Sequence, residues 1–388
     1  MTDTMPDGAE GPLSGVLVAD FSRILAGPYA TMLLADLGAD VVKVEGPGGD
    51  DTRSWTPPAR GEVSTYYLGV NRGKRSIALD LRDEADATVA RELARRADVL
   101  VENFRPGGLA KYGLDYAAVS ARNPGVVYAS ISGFGSGAGA RVPGYDLMVQ
   151  AMSGLMSLTG EPDGPPYRAG ISVFDVMAGN HAVIGVLAAL RHRDATGRGQ
   201  HVEVNLLSSA LTGLVNQSSA YVAGGVVPYR MGNAHPSVFP YEPLPTADHD
   251  LIVAAANDGQ FRRLCEVLGI PEVADDPRFA RNAARTEHRD ALRPILVERL
   301  VTRPADEWFE LLVEAGIPSG PINTIDGGFA VAERFGLDPV VVVGEGERAV
   351  PTTRHPIRFS ETPAGYALPP PGLDEHGAEL RKWLEGGA

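Results

Sequence analysis

From Gly15 onward, short runs of β-branched residues alternate with segments of helical period, and this rhythm constrains the fold more than any other feature of the chain. Residues 16–20 read as a first strand. Residues 28–37 read as a helix with proline near its start and Gly38 as its stop, and 41–45 as a second strand. Further strands are expected at 76–80, 97–102 and 126–131, with helices near 84–94 and 115–121 between some of them. Strands spaced by helices pair in parallel, because a parallel pair needs a crossover long enough to hold one. The expected class is therefore α/β, with a Rossmann-like parallel sheet. A nicotinamide fingerprint is missing, since Gly-x-Gly-x-x-Gly does not follow the first strand, and this sets a dehydrogenase aside.

Later segments suggest a second body. Residues 176–190 are apolar on nearly every face, which suits an interior or a subunit interface. Residues 201–207 look like a strand, followed by a helix to about Tyr221, and the Gly- and Pro-rich stretch 224–245 marks a boundary. A more helical region spans 251–318, with helices at 258–268, 288–301 and 304–315. Past Asn323 the periodicity fades, until a short helix near 375–384. With 388 residues, two domains are the prior. The division expected is a large domain of 12–200 plus 325–388, a small α+β domain of 225–325, and a connecting segment of 201–224.

A net charge of −14 argues against nucleic acid or an anionic membrane surface as the main partner, since both require a dominant basic face. An anionic cofactor can still bind through a local basic cluster. The single cysteine, Cys265, rules out an intramolecular disulfide and reads as a buried structural thiol on the amphipathic stretch 261–268. Eight scattered histidines form no His-x-x-x-His pair, and no metal site is expected. Residues 1–11 lack the basic start and apolar core of a signal peptide and read as a disordered tail. No apolar run is read as long enough to span a bilayer, so the expectation is a soluble cytoplasmic protein.

One carboxylate stands out. Asp175 opens the long apolar helix, where amide groups and the macrodipole favour the ionised form of a nucleophile. Asp is equally a preferred helix cap, and position alone leaves both readings open. Arg72, Lys74, Arg75 and Arg82 flank the strand at 76–80, and Arg105 and Lys111 follow the strand ending at Glu102. Strand ends are where open α/β sheets bind ligands, and guanidinium groups match phosphate oxygens. Gly27-Pro28 is a good helix start and also offers free amide groups to a pyrophosphate. His235, in a glycine-bearing loop, reads as a loop histidine that could fold over a site.

Seven segments in order carry a resemblance. They are Val18 to Pro28 (Val-Ala-Asp-Phe-Ser-Arg-Ile-Leu-Ala-Gly-Pro), Leu33 to Glu45, Asn71-Arg72-Gly73-Lys74-Arg75-Ser76-Ile77, Val101-Glu102-Asn103-Phe104-Arg105-Pro106-Gly107, Thr196-Gly197-Arg198-Gly199-Gln200, Gly232-Asn233, and Gly316 to Asn323. Together they resemble the class III CoA-transferases, the family of formyl-CoA:oxalate and carnitine CoA-transferases, related to acyl-CoA racemases.

The resemblance implies that Asp175 is the nucleophile and that CoA passes from an acyl-CoA to an acceptor carboxylic acid through an aspartyl anhydride and an aspartyl-CoA thioester. It implies CoA contacts from Leu25 and Ala26, from Leu79, Asp80, Leu81 and Arg82, from Asn103, Phe104 and Arg105, and from Lys111. Coenzyme A enters as substrate, and an interlocked homodimer is expected. The formyl-type members carry basic residues where this chain has Gly46 and Pro143, so Arg53 or Arg141 is expected to substitute. Their glycine-run lid has no counterpart here. Tyr145 stands where the racemases place a histidine, and tyrosine is a poor base at neutral pH, which disfavours racemisation. Tyr145 reads either as packing or as a hydroxyl donor near the thioester. A non-enzymatic CoA-binding protein, with Asp175 as a plain cap, is the other alternative.

Overall fold

The structure is a computed structural model and describes residues 11–386. The opening stretch read as a disordered tail lies outside the described residues, Gly11 excepted. The chain divides into two compact units. The first comprises the residues up to Leu155, Arg168–Val226 and those from Asp338 onward, and the second Met156–Tyr167 and Val227–Leu337.

The first unit is built on six strands: β1 (Leu17–Asp20), β2 (Asp40–Glu45), β3 (Lys74–Ala78), β4 (Val99–Glu102), β5 (Val127–Ser132) and β6 (His201–Asn205). Their order across the sheet is β3-β2-β1-β4-β5-β6, and every pairing is parallel. Val18 of β1 pairs with Val41 on one side and Val99 on the other, so β1 is central and its apolar residues are buried on both faces. One face carries α1 (Ala26–Asp36), and the other carries α2 (Glu84–Arg96) with α3 (Tyr116–Arg122) beyond it. Then come α4 (Asp146–Met152), α5 (Val173–Thr196), α6 (Leu206–Gly213) and α7 (Val215–Val222). α5 packs with α1 on the first face.

α5 corrects one expectation. With 24 residues and a mean hydropathy of 1.7 over its apolar window, it is long and apolar enough to cross a membrane by length and composition. In the fold, Phe174, Ala178, Ala182, Val186 and Ala189 are buried in the core it shares with α1, β4 and β5.

Residues 201–224, assigned as a connecting segment, hold the expected strand, β6, and the helices α6 and α7 after it. The register Tyr128↔His201 to Ser132↔Asn205 fastens β6 to β5. The strand expected at 76–80 starts two residues earlier, which places Lys74 and Arg75 inside the sheet.

The second unit has a three-stranded antiparallel sheet of β7 (Tyr241–Pro245), β8 (Asp250–Ala254) and β9 (Ser319–Pro321), with β8 central. Helices α8 (Asp258–Val267), α9 (Arg289–Leu300) and α10 (Ala305–Glu314) close its core around Phe261, Leu264, Leu296 and Trp308. Cys265 lies in this core, its thiol pushed up to about 12 chiefly by burial, as suits a structural residue. Helix α11 (Ile325–Arg334) belongs to this unit, not to the larger one as expected. The chain then returns to the first unit with the hairpin β10 (Val340–Val343) and β11 (Val350–Thr353) and with α12 (Gly377–Glu385), whose Leu380 and Leu384 join the core under α2.

Candidate active site

From β1 the sheet grows to β2 on one side and to β4 on the other, so a crevice opens beyond the carboxyl ends of β1 and β4, where such sheets bind ligands. Asn103, directly after β4, ties the two loops there. Its carboxamide accepts the Arg23 N–H at 3.0 Å and donates to the Arg23 carbonyl at 2.7 Å. The next residue, Ile24, has φ +71°, a left-handed conformation that costs a β-branched residue about 1–3 kcal/mol. A buried charge pair fixes it. Asp50 accepts the Ile24 N–H at 3.2 Å, while Lys43 Nζ lies 2.9 Å from the same carboxylate and 3.1 Å from the Ser22 carbonyl. Gly27 follows because a Cβ there would meet Ser22 Cβ at 2.2 Å. The loop thus delivers Leu25 and Ala26 to the crevice at the start of α1, where no side chain caps the free amides.

Asp175 is the third residue of α5, and Ser172 is the N-cap. The plain-cap reading therefore does not describe it. The cap role falls to a residue 29 positions earlier. Asp146, the buried first residue of α4, accepts the N–H of Phe174 at 2.7 Å and of Asp175 at 3.2 Å through one oxygen. Its other oxygen takes a short hydrogen bond from Gln150. Gln150, also buried, donates to the Ile171 carbonyl at 3.0 Å and accepts the Ala169 N–H at 2.8 Å, which locks the chain entering α5.

Burial, and after it the charge of Asp146, push the Asp175 carboxyl up to about 7. The helix start alone does not set this group: burial and the Asp146 charge oppose the ionised form, and the Phe174 and Asp175 amides are already bonded to Asp146.

Asp175 shares a cavity of about 220 Å³ with Leu25, Ala26, Asn103, Phe104, Arg105 and Tyr145. Tyr145 is 59% exposed on this chain, at the wall of that cavity. Leu79, Asp80, Leu81 and Arg82 line a neighbouring cavity of about 320 Å³, and Arg23 and Phe104 border both. Gly46 and Pro143 face these two cavities, one each. Lys111 lines neither; its ammonium lies 4.7 Å from the ring centre of Tyr112, which does line the second. His235 sits in the second unit, its ring 5.1 Å from that of Tyr241 and its Nδ1 accepting the Ser237 N–H, and it also lines neither cavity.

Half of the basic cluster read as a phosphate site is committed elsewhere. Arg72 is 2% exposed and bonds Asp36 through two nitrogens, Lys74 is fully buried 3.0 Å from Asp20, and Arg75 holds Asp40. Arg53, expected as a substitute, is forked onto Glu45 and bonded to the Tyr67 hydroxyl. Arg82 is exposed, folded onto Asp80 at 2.9 and 2.8 Å, and Arg105 is exposed at the mouth of the first cavity. Arg141 is exposed on the turn beside it.

Sequence reasoning missed Asp146, Gln150 and the Lys43–Asp50 pair. Asp146 offered one signal, its place directly after Tyr145.

The model of "CoA-transferase family III" matches residues 13–377. The chain is 47% identical to a succinate–glutarate CoA-transferase of Agrobacterium fabrum, covering 99% of this chain and 98% of that one. It is 40% identical to an acetyl-CoA:oxalate CoA-transferase of Acetobacter aceti, covering 98% of each. Among solved structures, a CAIB/BAIF family protein from Brucella suis superposes with a TM-score of 0.85 at 44% identity, over 97% of this chain and 100% of that one. A match of this length, on a fold whose switch-point crevice brings Asp175 together with the loops after β1 and β4, places the chain in CoA-transferase family III: it is a CoA-transferase.

Proposed function

We propose that the chain moves CoA from an acyl-CoA thioester to an acceptor carboxylic acid, with Asp175 as the covalent relay. The observation that carries this reading is the shared cavity, in which Asp175 faces Leu25, Ala26, Asn103, Arg105 and Tyr145. An Asp175 oxygen attacks the thioester carbonyl; a C–O bond forms, the C–S bond breaks, and CoA leaves as thiolate. The thiolate attacks Asp175 Cγ, giving the aspartyl-CoA thioester and releasing the donor as carboxylate. An acceptor carboxylate reverses the two steps. Each step conserves the activated acyl bond, which is the gain from covalent catalysis here.

Because Asp146 occupies the first amides of α5, the oxyanions of these steps take their donors from the opposite wall. The uncapped start of α1, at Leu25 and Ala26, supplies them. Arg82 and Arg105, both exposed beside the cavities, serve the CoA phosphates.

The acids of this reaction are short dicarboxylates. Relatives at 38–47% identity over nearly the whole chain are named for succinate or succinyl-CoA with glutarate, for oxalate, and for mesaconate. Tyr145, at the position of the racemase histidine, favours transfer over epimerisation. A homodimer completes the reading, supported by exposed apolar residues that run from α5 through α7, among them Ile184, Leu211, Val215 and Val222.

Kinetics with succinyl-CoA as donor and a panel of glutarate, oxalate, mesaconate and butyrate test the reading. Dicarboxylates should exceed butyrate in kcat/KM, and Asp175→Asn should remove transfer while retaining CoA binding. Transfer at an undiminished rate by the variant would end the Asp175 assignment, and preference for butyrate would end the substrate class.

A further inference from the structure

We propose that Asp146 is a positioning residue for Asp175: its carboxylate holds the first turn of α5 by two amides and keeps against Asp175 a negative charge that acylation of Asp175 relieves. The inference rests on Asp175 being the covalent relay, and goes beyond it by assigning what sets that group's reactivity.

Three observations carry it. First, the geometry is direct. One Asp146 oxygen accepts from Phe174 and from Asp175 itself, so the backbone of the nucleophile is bonded to the carboxylate that repels its side chain. Second, the arrangement is built and not incidental. Asp146 is 5% exposed and Gln150 fully buried one turn later on α4, and Gln150 spends its whole carboxamide on Asp146, Ile171 and Ala169. Third, α4 begins immediately after Tyr145, so the cavity wall and the nucleophile's cap are consecutive residues.

Among the described residues of the first unit, little else could play this part. Charged or titratable side chains near Asp175 are Tyr66 from the helix Thr65–Val70, Tyr145 from the cavity wall, and Arg23 and Arg105 from the loops after β1 and β4. α1 presents Tyr29 a turn further along, at Gly179; α6 has no titratable residue, and β5 and β6 meet α5 through Ala129, Ile131, Val202 and Val204. Asp146 is the charge that adds to burial in raising Asp175.

The chemical consequence follows from charge balance. Asp175 carries about one negative charge when poised to attack and none as anhydride or thioester, because the electron pair leaves with the thiolate or the donor carboxylate. Repulsion from Asp146 therefore weighs on the free carboxylate and vanishes in both covalent states. A carboxylate kept more basic is also the better nucleophile. A neutral side chain at 146 would preserve a cap and lose this bias.

The test compares Asp146→Asn and Asp146→Ser with the charge-keeping Asp146→Glu. It reads the acid limb of kcat/KM for succinyl-CoA and the fraction of protein carrying CoA at equilibrium by intact-protein mass spectrometry. Differences between variants cancel the substrate's own ionisation. Both neutral variants should move the limb down by about one pH unit, burial still holding it above an ordinary carboxylate. Both should also lower the CoA-bearing fraction several-fold at the same substrate ratio. Asp146→Glu should keep the limb in place while kcat falls, because its longer chain misplaces the cap. Two neutral variants guard against one failing to fold, and retained CoA binding reports folding. Limbs that coincide with the wild type, in variants whose Asp175 still takes up CoA, would overturn the inference alone. Failure of wild-type Asp175 to take up CoA would overturn the relay reading beneath it.

Discussion

Asp20 shows how much of the site's order rests on buried charge. It accepts Lys74 Nζ at 3.0 Å, Thr31 Oγ1 at 2.6 Å and the Ser22 N–H at 3.0 Å, all inside the core. Burial alone would raise its carboxyl, but Lys74, Lys43 and the hydroxyls of Ser22 and Thr31 together outweigh burial and hold it below the ordinary carboxylate range. A lowered carboxylate contributes stability that is present above its unfolded value and lost as the pH falls through the lower folded one. Asp20→Asn should therefore cost about 3 kcal/mol in urea unfolding at pH 7, the low end for a broken buried pair. The cost stays low because Lys74, already brought down to about 8 chiefly by burial, sheds its proton once unpaired. Stability between pH 5 and pH 2 should also fall less steeply in the variant. Arg82 is the contrast, exposed and held by Asp80 alone among the described residues. Arg82→Gln should leave the melt unchanged and weaken CoA binding about fivefold in calorimetric titration, with the loss shrinking as salt rises. Arg262→Gln, also exposed and paired with Asp275, should do neither.

Between elements, the contact that decides the cavity's shape is α1 against α5. Gly179 permits it, since a Cβ there would stand 2.8 Å from the Ala26 carbonyl oxygen and 3.0 Å from the Tyr29 ring. Gly179→Ala should destabilise the fold by about 1–3 kcal/mol and raise KM for acyl-CoA, because the residue displaced, Ala26, lines the cavity with Asp175. An unchanged KM in a destabilised variant would separate α1 placement from binding. The strands and helices of the parallel sheet were legible because β-branched runs and amphipathic periods are local signals, within two or three residues of their observed bounds for β1, α1 and β2. The partners of the basic residues were not. Lys74 meets Asp20 across 54 positions, Arg72 meets Asp36 across 36 and Arg75 meets Asp40 across 35, so each read as a strand-end charge open to phosphate. Asp175 was found through the motifs around it, but its lost amides and its neighbour Asp146 lie beyond what spacing along the chain can show.

On the scale of the whole molecule, the second unit's core around Phe261, Leu296 and Trp308 is separate from the two cores that sandwich the sheet. Apolar residues left exposed on the first unit, such as Val215, Val222 and Val226, are what support the homodimer reading. The homodimer reading gives a mass by light scattering of twice 41.0 kDa, unchanged on dilution to nanomolar concentration; a single 41.0 kDa species would remove it. The proposed transfer through Asp175 joins these scales, since sheet, loops and cap all converge on one carboxylate. Its most direct measurement is peptide mass spectrometry of the protein incubated with succinyl-CoA and then treated with hydroxylamine. The expected result is a hydroxamate at Asp175 in the wild type, and none in Asp175→Asn, which should also show no transfer. Full turnover with Asp175 unmodified, or a hydroxamate on another carboxylate, would contradict it.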